Sequence, residues 1–219
     1  MTSVILSESP RVEFIHGDCL KLLKSFKDNS FDLAIVDPPY GIGKWNHTGG
    51  NSISEVEAQK INGWDESAPG WDYFSHLKIK AKESIIWGGN YFLEHLGNCR
   101  APIIWDKKMR GMHFADGEMA WTSFKKNTLR IADVGIVSTR ATRGKRIHPT
   151  QKPIELYDWI LKNYAKEGDR ILDTHLGSGS SAIAAFRAGL EFVGIEIDKD
   201  YFKAAVNRFE KQSHQLRML

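Results

Sequence analysis

The sequence predicts a doubly wound parallel α/β fold, and three segments carry that prediction. Toward the C-terminal end, Arg170-Ile171-Leu172-Asp173 reads as a short buried strand. Leu176-Gly177-Ser178-Gly179-Ser180-Ser181 then turns into an apolar helix over 182–186, which Gly189 ends before the strand Phe192-Val193-Gly194-Ile195-Glu196. Toward the N-terminal end, Val12-Glu13-Phe14-Ile15 leads to Asp18, and the apolar run over 31–36 leads to Asp37. The C-terminal pair supplies two neighbouring strands and stops, whereas a doubly wound sheet needs a third strand and another on the far side of the first. The two N-terminal runs supply both, so the two ends of the chain complete one sheet. Ligands of such sheets sit beyond the carboxyl ends of the strands where strand order reverses, and Asp18, Asp37, Asp173 and Glu196 all fall at ends of that kind.

The remaining elements follow from periodicity. Further strands are predicted over 83–87, 102–105 and 118–124, and helices over 73–81, 91–96 and 154–164. At 219 residues, 42% hydrophobic and 26% charged, the chain suits one well-packed domain over 1–219 with little left over. No apolar run is long enough to cross a bilayer, and the first residues lack the basic start and sustained apolar core of a signal peptide. Cys19 and Cys99 are too few and too far apart for a metal site or a disulfide framework, so a cytoplasmic, reduced protein without a metal is the expectation. Most of the seven tryptophans fall at predicted strand ends, where they read as core or rim packing.

The glycine turn carries the first chemical signal. Gly177 and Gly179 allow backbone to approach a ligand, the helix start offers unpaired N–H groups, and Glu196 closes the next strand with an acid able to hold two ribose hydroxyls. Only two glycines are present, spaced G-x-G, and no lysine follows as a phosphate loop requires. A ligand with a nucleoside and no pyrophosphate fits that pattern, and S-adenosylmethionine is one.

The second signal is Asp37-Pro38-Pro39-Tyr40 at the end of the 31–36 strand. An exocyclic amine on a heteroaromatic ring is a poor nucleophile because its lone pair is delocalised into the ring. Accepting both of its protons localises that pair: Asp37 takes one N–H, the Pro38 carbonyl takes the other, and Tyr40 stacks on the base. Pro38 and Pro39 fix the backbone and remove competing donors. Amino methylation of a nucleobase is the reaction this set suits, and Asp37, Pro38, Pro39 and Tyr40 are its candidate catalytic residues.

Together these segments resemble the DNA amino-methyltransferases in which the catalytic motif precedes the cofactor motif. The resemblance covers nearly the whole chain. It extends to Ile15-His16-Gly17-Asp18-Cys19, to Trp87-Gly88-Gly89-Asn90-Tyr91-Phe92, and to His148-Pro149-Thr150-Gln151-Lys152-Pro153. It implies a Rossmann-like S-adenosylmethionine-dependent methyltransferase fold with permuted motif order. It further implies that Asp18 contacts the cofactor adenine, that Glu196 holds the ribose, and that His148, Thr150 and Lys152 lie near the methionine end. Asp173, His175, Gly177, Ser178 and Gly179 line the cofactor pocket on the same reading, with Asp37 beside the methyl group. Asp18 is equally an ordinary helix N-cap before Cys19-Leu20-Lys21-Leu22-Leu23. The family's glycine turn has Pro-Phe after the Asp; here Thr174-His175 stands there, with His175 a candidate replacement for the aromatic packing.

The resemblance implies DNA as substrate and adenine N6 as the target amine, because the motif begins with Asp; cytosine N4 is the alternative. An inactive DNA-binding subunit is a second alternative, expected to have lost Asp37, Tyr40 or Gly177, all of which are present. Net charge is only +3, but eight basic residues between Lys125 and Lys152 stand against Asp133 alone, a local +7 that leaves about −4 elsewhere. Phosphate backbone is the partner such a patch fits. The segment 125–147 is accordingly the expected target-recognition element, with Arg140, Arg143, Lys145 and Arg146 on nucleic acid. A glycine-rich stretch over 41–51 reads as a lid over the target base, with Lys44 or Trp45 able to touch DNA. So short a recognition element predicts a short target site, weak specificity, or help from a second subunit in a homodimer.

Overall fold

The computed structural model describes residues 1–42, 67–111, 115–125, 128–135, 147–148 and 150–217. Among the described residues, nine strands form one sheet: β1 (Thr2–Glu8), β2 (Arg11–His16), β3 (Phe31–Val36), β4 (Ala81–Trp87), β5 (Ile103–Asp106), β6 (Gly117–Thr122), β7 (Arg130–Asp133), β8 (Arg170–Asp173) and β9 (Glu191–Glu196). Their order is β1-β2-β9-β8-β3-β4-β6-β5-β7. The five central strands, β2, β9, β8, β3 and β4, are all parallel. β6 runs antiparallel to both of its neighbours, β4 and β5.

The N-terminal strands take the places predicted for them. β3 lies beside β8, with Leu33 opposite Ile171, and β2 lies beside β9, with His16 opposite Glu196. Strand order therefore reverses between β8 and β3, and the Asp173 and Asp37 ends meet there.

Alternation along the strands builds two cores, one on each face. Leu33, Ile35, Ile85 and Trp87 face helices α4 (Ile154–Tyr164), α5 (Ser180–Arg187) and α6 (Lys199–Arg217), whose buried contributors include Ile160, Ile183 and Phe209. Ala34, Val36 and Ile86 face α1 (Cys19–Ser25) and α2 (Trp71–Lys80), which contribute Leu23, Phe74 and Leu77. Apolar burial on both faces is what a parallel sheet wound on two sides requires. Each fully buried Phe or Leu in these layers contributes about 1.5–3 kcal/mol relative to exposure.

Several predicted boundaries move. The helix predicted over 91–96 is a 3₁₀ turn, Gly89–Tyr91, followed by the single-turn α3 (Leu93–Leu96), because Gly88 enters it at φ +65°. α2 begins at Trp71 and hands over directly to β4 at Ala81, and β6 ends at Thr122 rather than at 124. Of the tryptophans described, Trp87, Trp105 and Trp121 fit the expectation by standing at or near strand ends in the core, whereas Trp71 opens α2 at 67% exposure and Trp159 lies within α4. Three elements go beyond the sequence reading: β1 and β7 at the sheet edges, and the long α6, whose Phe202, Ala205 and Phe209 form one buried stripe.

Among the described residues, no helix is long and apolar enough to cross a membrane, and no group of His, Cys, Asp or Glu is placed to hold a metal ion. Cys19 and Cys99 are both free thiols.

Candidate active site

Two clusters lie at the carboxyl ends of the central strands. The first is built around Asp37, which β3 delivers just past its last residue. Asp37 Oδ1 accepts the Tyr40 hydroxyl at 2.8 Å, and Lys152 Nζ stands 2.5 Å from Asp37 Oδ2. The lysine side chain is 4% exposed and reaches further, to Glu118 Oε2 at 3.1 Å, while Glu118 Oε1 pairs with Lys107 at 2.5 Å. Two carboxylates and two ammonium groups thus neutralise each other in a partly buried chain.

The electrostatics follow the geometry. Burial pushes the Asp37 carboxyl above its ordinary range, with Lys152 opposing that shift and Glu118 adding to it. Burial alone lowers the Lys152 ammonium, but the charges of Asp37 and Glu118 outweigh it and hold lysine protonated above its usual range. Burial raises Glu118, yet Lys152 and Lys107 together bring it below the ordinary carboxylate range. The lysine ammonium also lies 5.3 Å from the centre of the Trp87 ring, a cation–π distance.

Tyr40 is fixed from several sides. Its ring stacks on Tyr91, with centroids 5.0 Å apart at 17°, and meets Phe92 edge-on at 6.1 Å. Gly88 explains the paired glycines of the Trp87–Phe92 motif. A Cβ added to Gly88 would lie 2.2 Å from Tyr40 Cε1 and 2.6 Å from both Cδ1 and Cζ, which places it over the ring face. Gly89 is closed in the same way, since a Cβ there would meet Trp121 Cβ at 2.3 Å.

The second cluster is the glycine turn. Gly177 and Gly179 have φ of +51° and +72°, and α5 starts directly from Gly179. Their requirement for glycine is the left-handed backbone, because added Cβ atoms would find only ordinary contacts at 3.5 Å, with His148 and Ala205. Glu196, at the end of β9, accepts Gly177 N–H at 2.8 Å and Asp198 N–H at 2.9 Å, one on each carboxylate oxygen. Each oxygen keeps a lone pair for a further donor such as a ribose hydroxyl. Asp173 Oδ2 accepts the Ser181 hydroxyl at 2.6 Å, Oδ1 accepts His175 N–H at 3.0 Å, and burial pushes the carboxyl up to about 7.

The other expected cofactor residues surround this turn. Asp18 N-caps α1, accepting Leu20 N–H at 2.9 Å and Lys21 N–H at 3.2 Å, and it stands at the end of β2 next to β9. It therefore does the capping work that its sequence position allows, at a strand end beside that of Glu196. His148 rests on Gly177, contacts Tyr201 edge-on at 4.4 Å, and lies 3.1 Å from Thr150 Oγ1 through Nδ1. Ser178 Oγ lies 3.1 Å from Ser180 Oγ, and its carbonyl accepts Arg208 at 2.7 Å.

His175 packs edge-on to Tyr73 at 5.5 Å, a place for an aromatic ring. Its Nδ1 lies 3.0 Å from Thr174 Oγ1, which is 2.6 Å from the Tyr73 hydroxyl, and burial pushes the imidazole down to about 4, so it is neutral at physiological pH.

Lys152 stands apart from its predicted neighbours. Its ammonium is on Asp37, and only its carbonyl meets the start of α5, accepting the Ser180 hydroxyl at 2.8 Å. The sequence places Glu118 in a predicted strand and assigns neither it nor Lys107 a role; the available signal for Glu118 was a charge near the start of the largely apolar strand β6. Lys44, Trp45, Arg140, Arg143, Lys145 and Arg146 lie outside the described residues, as does most of the 41–51 stretch.

A doubly wound sheet with a glycine turn beside Glu196, meeting the partly buried Asp-Pro-Pro-Tyr turn at the switch point, is the arrangement expected of a nucleoside-dependent group transferase. Residues 104–207 match the DNA methylase family of N6/N4 methyltransferases. A Type II methyltransferase of Lactococcus lactis subsp. cremoris, M2.LlaDCHI, is 27% identical over 93% of this chain and 91% of its own length. Among solved structures, the M1.HpyAVI complex with S-adenosylmethionine superposes with a TM-score of 0.60 at 19% identity, covering 90% of this chain and 99% of the other. The PvuII DNA methyltransferase, cytosine-N4-specific, gives a TM-score of 0.59 at 16% identity, covering 93% and 90%. Nearly half of this chain thus matches the N6/N4 DNA methylase family, most of its length is similar to a Type II methyltransferase, and its fold is similar to that of a complex with S-adenosylmethionine.

Proposed function

We propose that this protein is a cytoplasmic DNA methyltransferase that transfers a methyl group from S-adenosylmethionine to the N6 amino group of adenine. The observation that carries the reading is the partly buried Asp37, whose two oxygens are oriented by Tyr40 and Lys152 at the point where strand order reverses. An ionised carboxylate offers about four acceptor positions. Two are taken here, which leaves room for one N–H of an exocyclic amine, with the Pro38 carbonyl for the other.

The cofactor residues fit a nucleoside carrying no phosphate. Glu196 holds the ribose, Asp18 and the β2 end accommodate the base, and His148, Thr150, Asp173, His175, Gly177, Ser178 and Gly179 bound the remainder, with Asp37 at the methyl group. Bound S-adenosylmethionine supplies an electrophilic sulfonium methyl. The chain's part is to turn the base out of the duplex, stack it against the Tyr40–Tyr91 pair, and aim the nitrogen lone pair along the line of attack. The basic segment 125–147 supplies phosphate contacts, and a second copy in a homodimer extends the DNA surface.

Mass spectrometry of nucleosides from DNA treated with the protein and cofactor tests this reading. N6-methyladenine is the expected product. N4-methylcytosine in its place would transfer the same geometry to the other amine of the family, as in the PvuII enzyme that shares this fold.

A further inference from the structure

The Lys152 ammonium is nearly inaccessible and lies 2.5 Å from the catalytic carboxylate, 115 residues away in the chain. A buried lysine is costly unless its charge is matched and its hydrogens are placed. Glu118 and the Trp87 ring face that ammonium on its other sides, and Lys107 neutralises Glu118 in turn. The arrangement leaves Asp37 no freedom to rotate, since Tyr40 fixes one oxygen and Lys152 the other.

We infer that Lys152 is a positioning residue for catalysis: with Glu118 behind it, it locks the Asp37 carboxylate in the rotamer and charge state that accept the substrate amine. The inference rests on the proposed amino-methyltransferase reading and gives Lys152 a task in the base pocket. The same residue ties the two halves of the site together. Its side chain holds Asp37, while its carbonyl takes the Ser180 hydroxyl at the start of the cofactor helix, which Arg208 also engages at 2.9 Å.

The charged and titratable groups that bear on Asp37 are Lys152, Glu118 and Tyr40, with Asp173 and Tyr157 within electrostatic reach. Lys152 favours the ionised acid, and Glu118 opposes it. Substitutions at these two positions therefore have opposite signs. Removing the lysine charge raises the pH at which Asp37 ionises; removing the glutamate charge lowers it.

The test is the pH profile of kcat under saturating cofactor, with S-adenosylhomocysteine affinity measured by calorimetry on the same preparations. Lys152→Met is expected to cut kcat roughly 100-fold, the scale of a misplaced reacting group. It should also move the acid limb upward by about 1–3 pH units, as loss of an adjacent opposite charge does. Cofactor affinity should stay within about threefold, and Lys152→Arg should restore part of kcat. Glu118→Gln should move the acid limb downward.

A cofactor affinity that falls in step with kcat, with the limb unmoved, would overturn the inference and return Lys152 to the cofactor pocket. If Lys152→Met does not fold, Glu118→Gln decides alone: a downward shift supports the lock, and an unmoved or raised limb refutes it. Failure of the adenine reading looks different, because it changes the product made by the unsubstituted protein while the profile can be followed on whichever product forms.

Discussion

The two clusters at the top of the sheet are built in opposite ways. The glycine turn is held largely by its own neighbourhood: Glu196 receives Gly177 N–H across 19 residues, Ser181 bonds Asp173 across eight, and much of the framework is backbone N–H and left-handed glycine. The Asp37 turn is held by long side chains from distant segments, Lys152 at a separation of 115 residues, with Glu118 and Lys107 behind it. A local, backbone-built site tolerates change elsewhere in the molecule. A site assembled from buried charges depends on each of them, because removing one partner leaves another buried and unmatched.

That contrast can be broken or sharpened by substitution. The largest effect is expected from Asp37→Ala, which removes the acceptor that orients the amine. Methyl transfer, followed as label incorporated into DNA, should fall by about 10³-fold or more, at the upper end of what one acid–base group supplies. Residual activity within tenfold of the parent would mean that Asp37 only shapes the turn.

Gly88→Ala comes next. It forces a side chain onto the Tyr40 ring face from a backbone at φ +65°, so kcat should drop roughly 100-fold while cofactor affinity holds. A catalytically normal Gly88→Ala enzyme would show that the Tyr40 ring position does not matter to the reaction.

Glu196→Ala probes the other cluster. Losing charge-assisted hydrogen bonds should weaken S-adenosylhomocysteine binding by about 2 kcal/mol, roughly 30-fold. Unchanged affinity would reduce Glu196 to a brace for the glycine turn.

The smallest effect concerns pH. The Asp173 carboxyl is pushed up to about 7 when folded, against an ordinary value of 3.8. Between those values the folded state holds the extra proton, so this group's contribution to stability falls as pH rises from about 4 to about 7. Burial shifts Asp37 and Glu196 in the same direction. Asp173→Asn should therefore flatten the decline of Tm across that window without abolishing it, and a slope identical to the parent's would mean that Asp173 is not the proton carrier.

What the sequence disclosed follows the same division. The strand, glycine turn, helix, strand and acid of the C-terminal half are contiguous, so spacing alone exposes them, and Ile154–Tyr164 and Arg170–Asp173 have the predicted boundaries. Asp37-Pro38-Pro39-Tyr40 is equally contiguous. The lock behind Asp37 is not. Glu118 reads as an ordinary strand residue, and Lys152 is counted in the basic run and assigned by resemblance to the cofactor, until the fold sets β6 one strand away from β3 and brings Lys152, just before α4, to both carboxylates.

Edge elements were harder to see for a related reason. β7 alternates poorly, with Ile131 59% exposed and only Ala132 buried, so its pairing with β5 rests on partner backbone rather than on its own pattern. The C-terminal helix α6 does carry a readable stripe at Phe202, Ala205 and Phe209, diluted by many charged residues. Gly88 and Gly89 are visible as a motif, but their reason, the Tyr40 ring and the Trp121 strand pressed against them, exists only in three dimensions.

The central claim is that chemistry and cofactor binding reside on separate clusters, joined through Lys152. Titration calorimetry of S-adenosylhomocysteine into folded Asp37→Ala protein tests it most directly. An affinity within a few-fold of the parent's is the result expected if Asp37 acts on the target base. A collapse in affinity, with the melting transition intact, would place Asp37 in the cofactor pocket and contradict the separation.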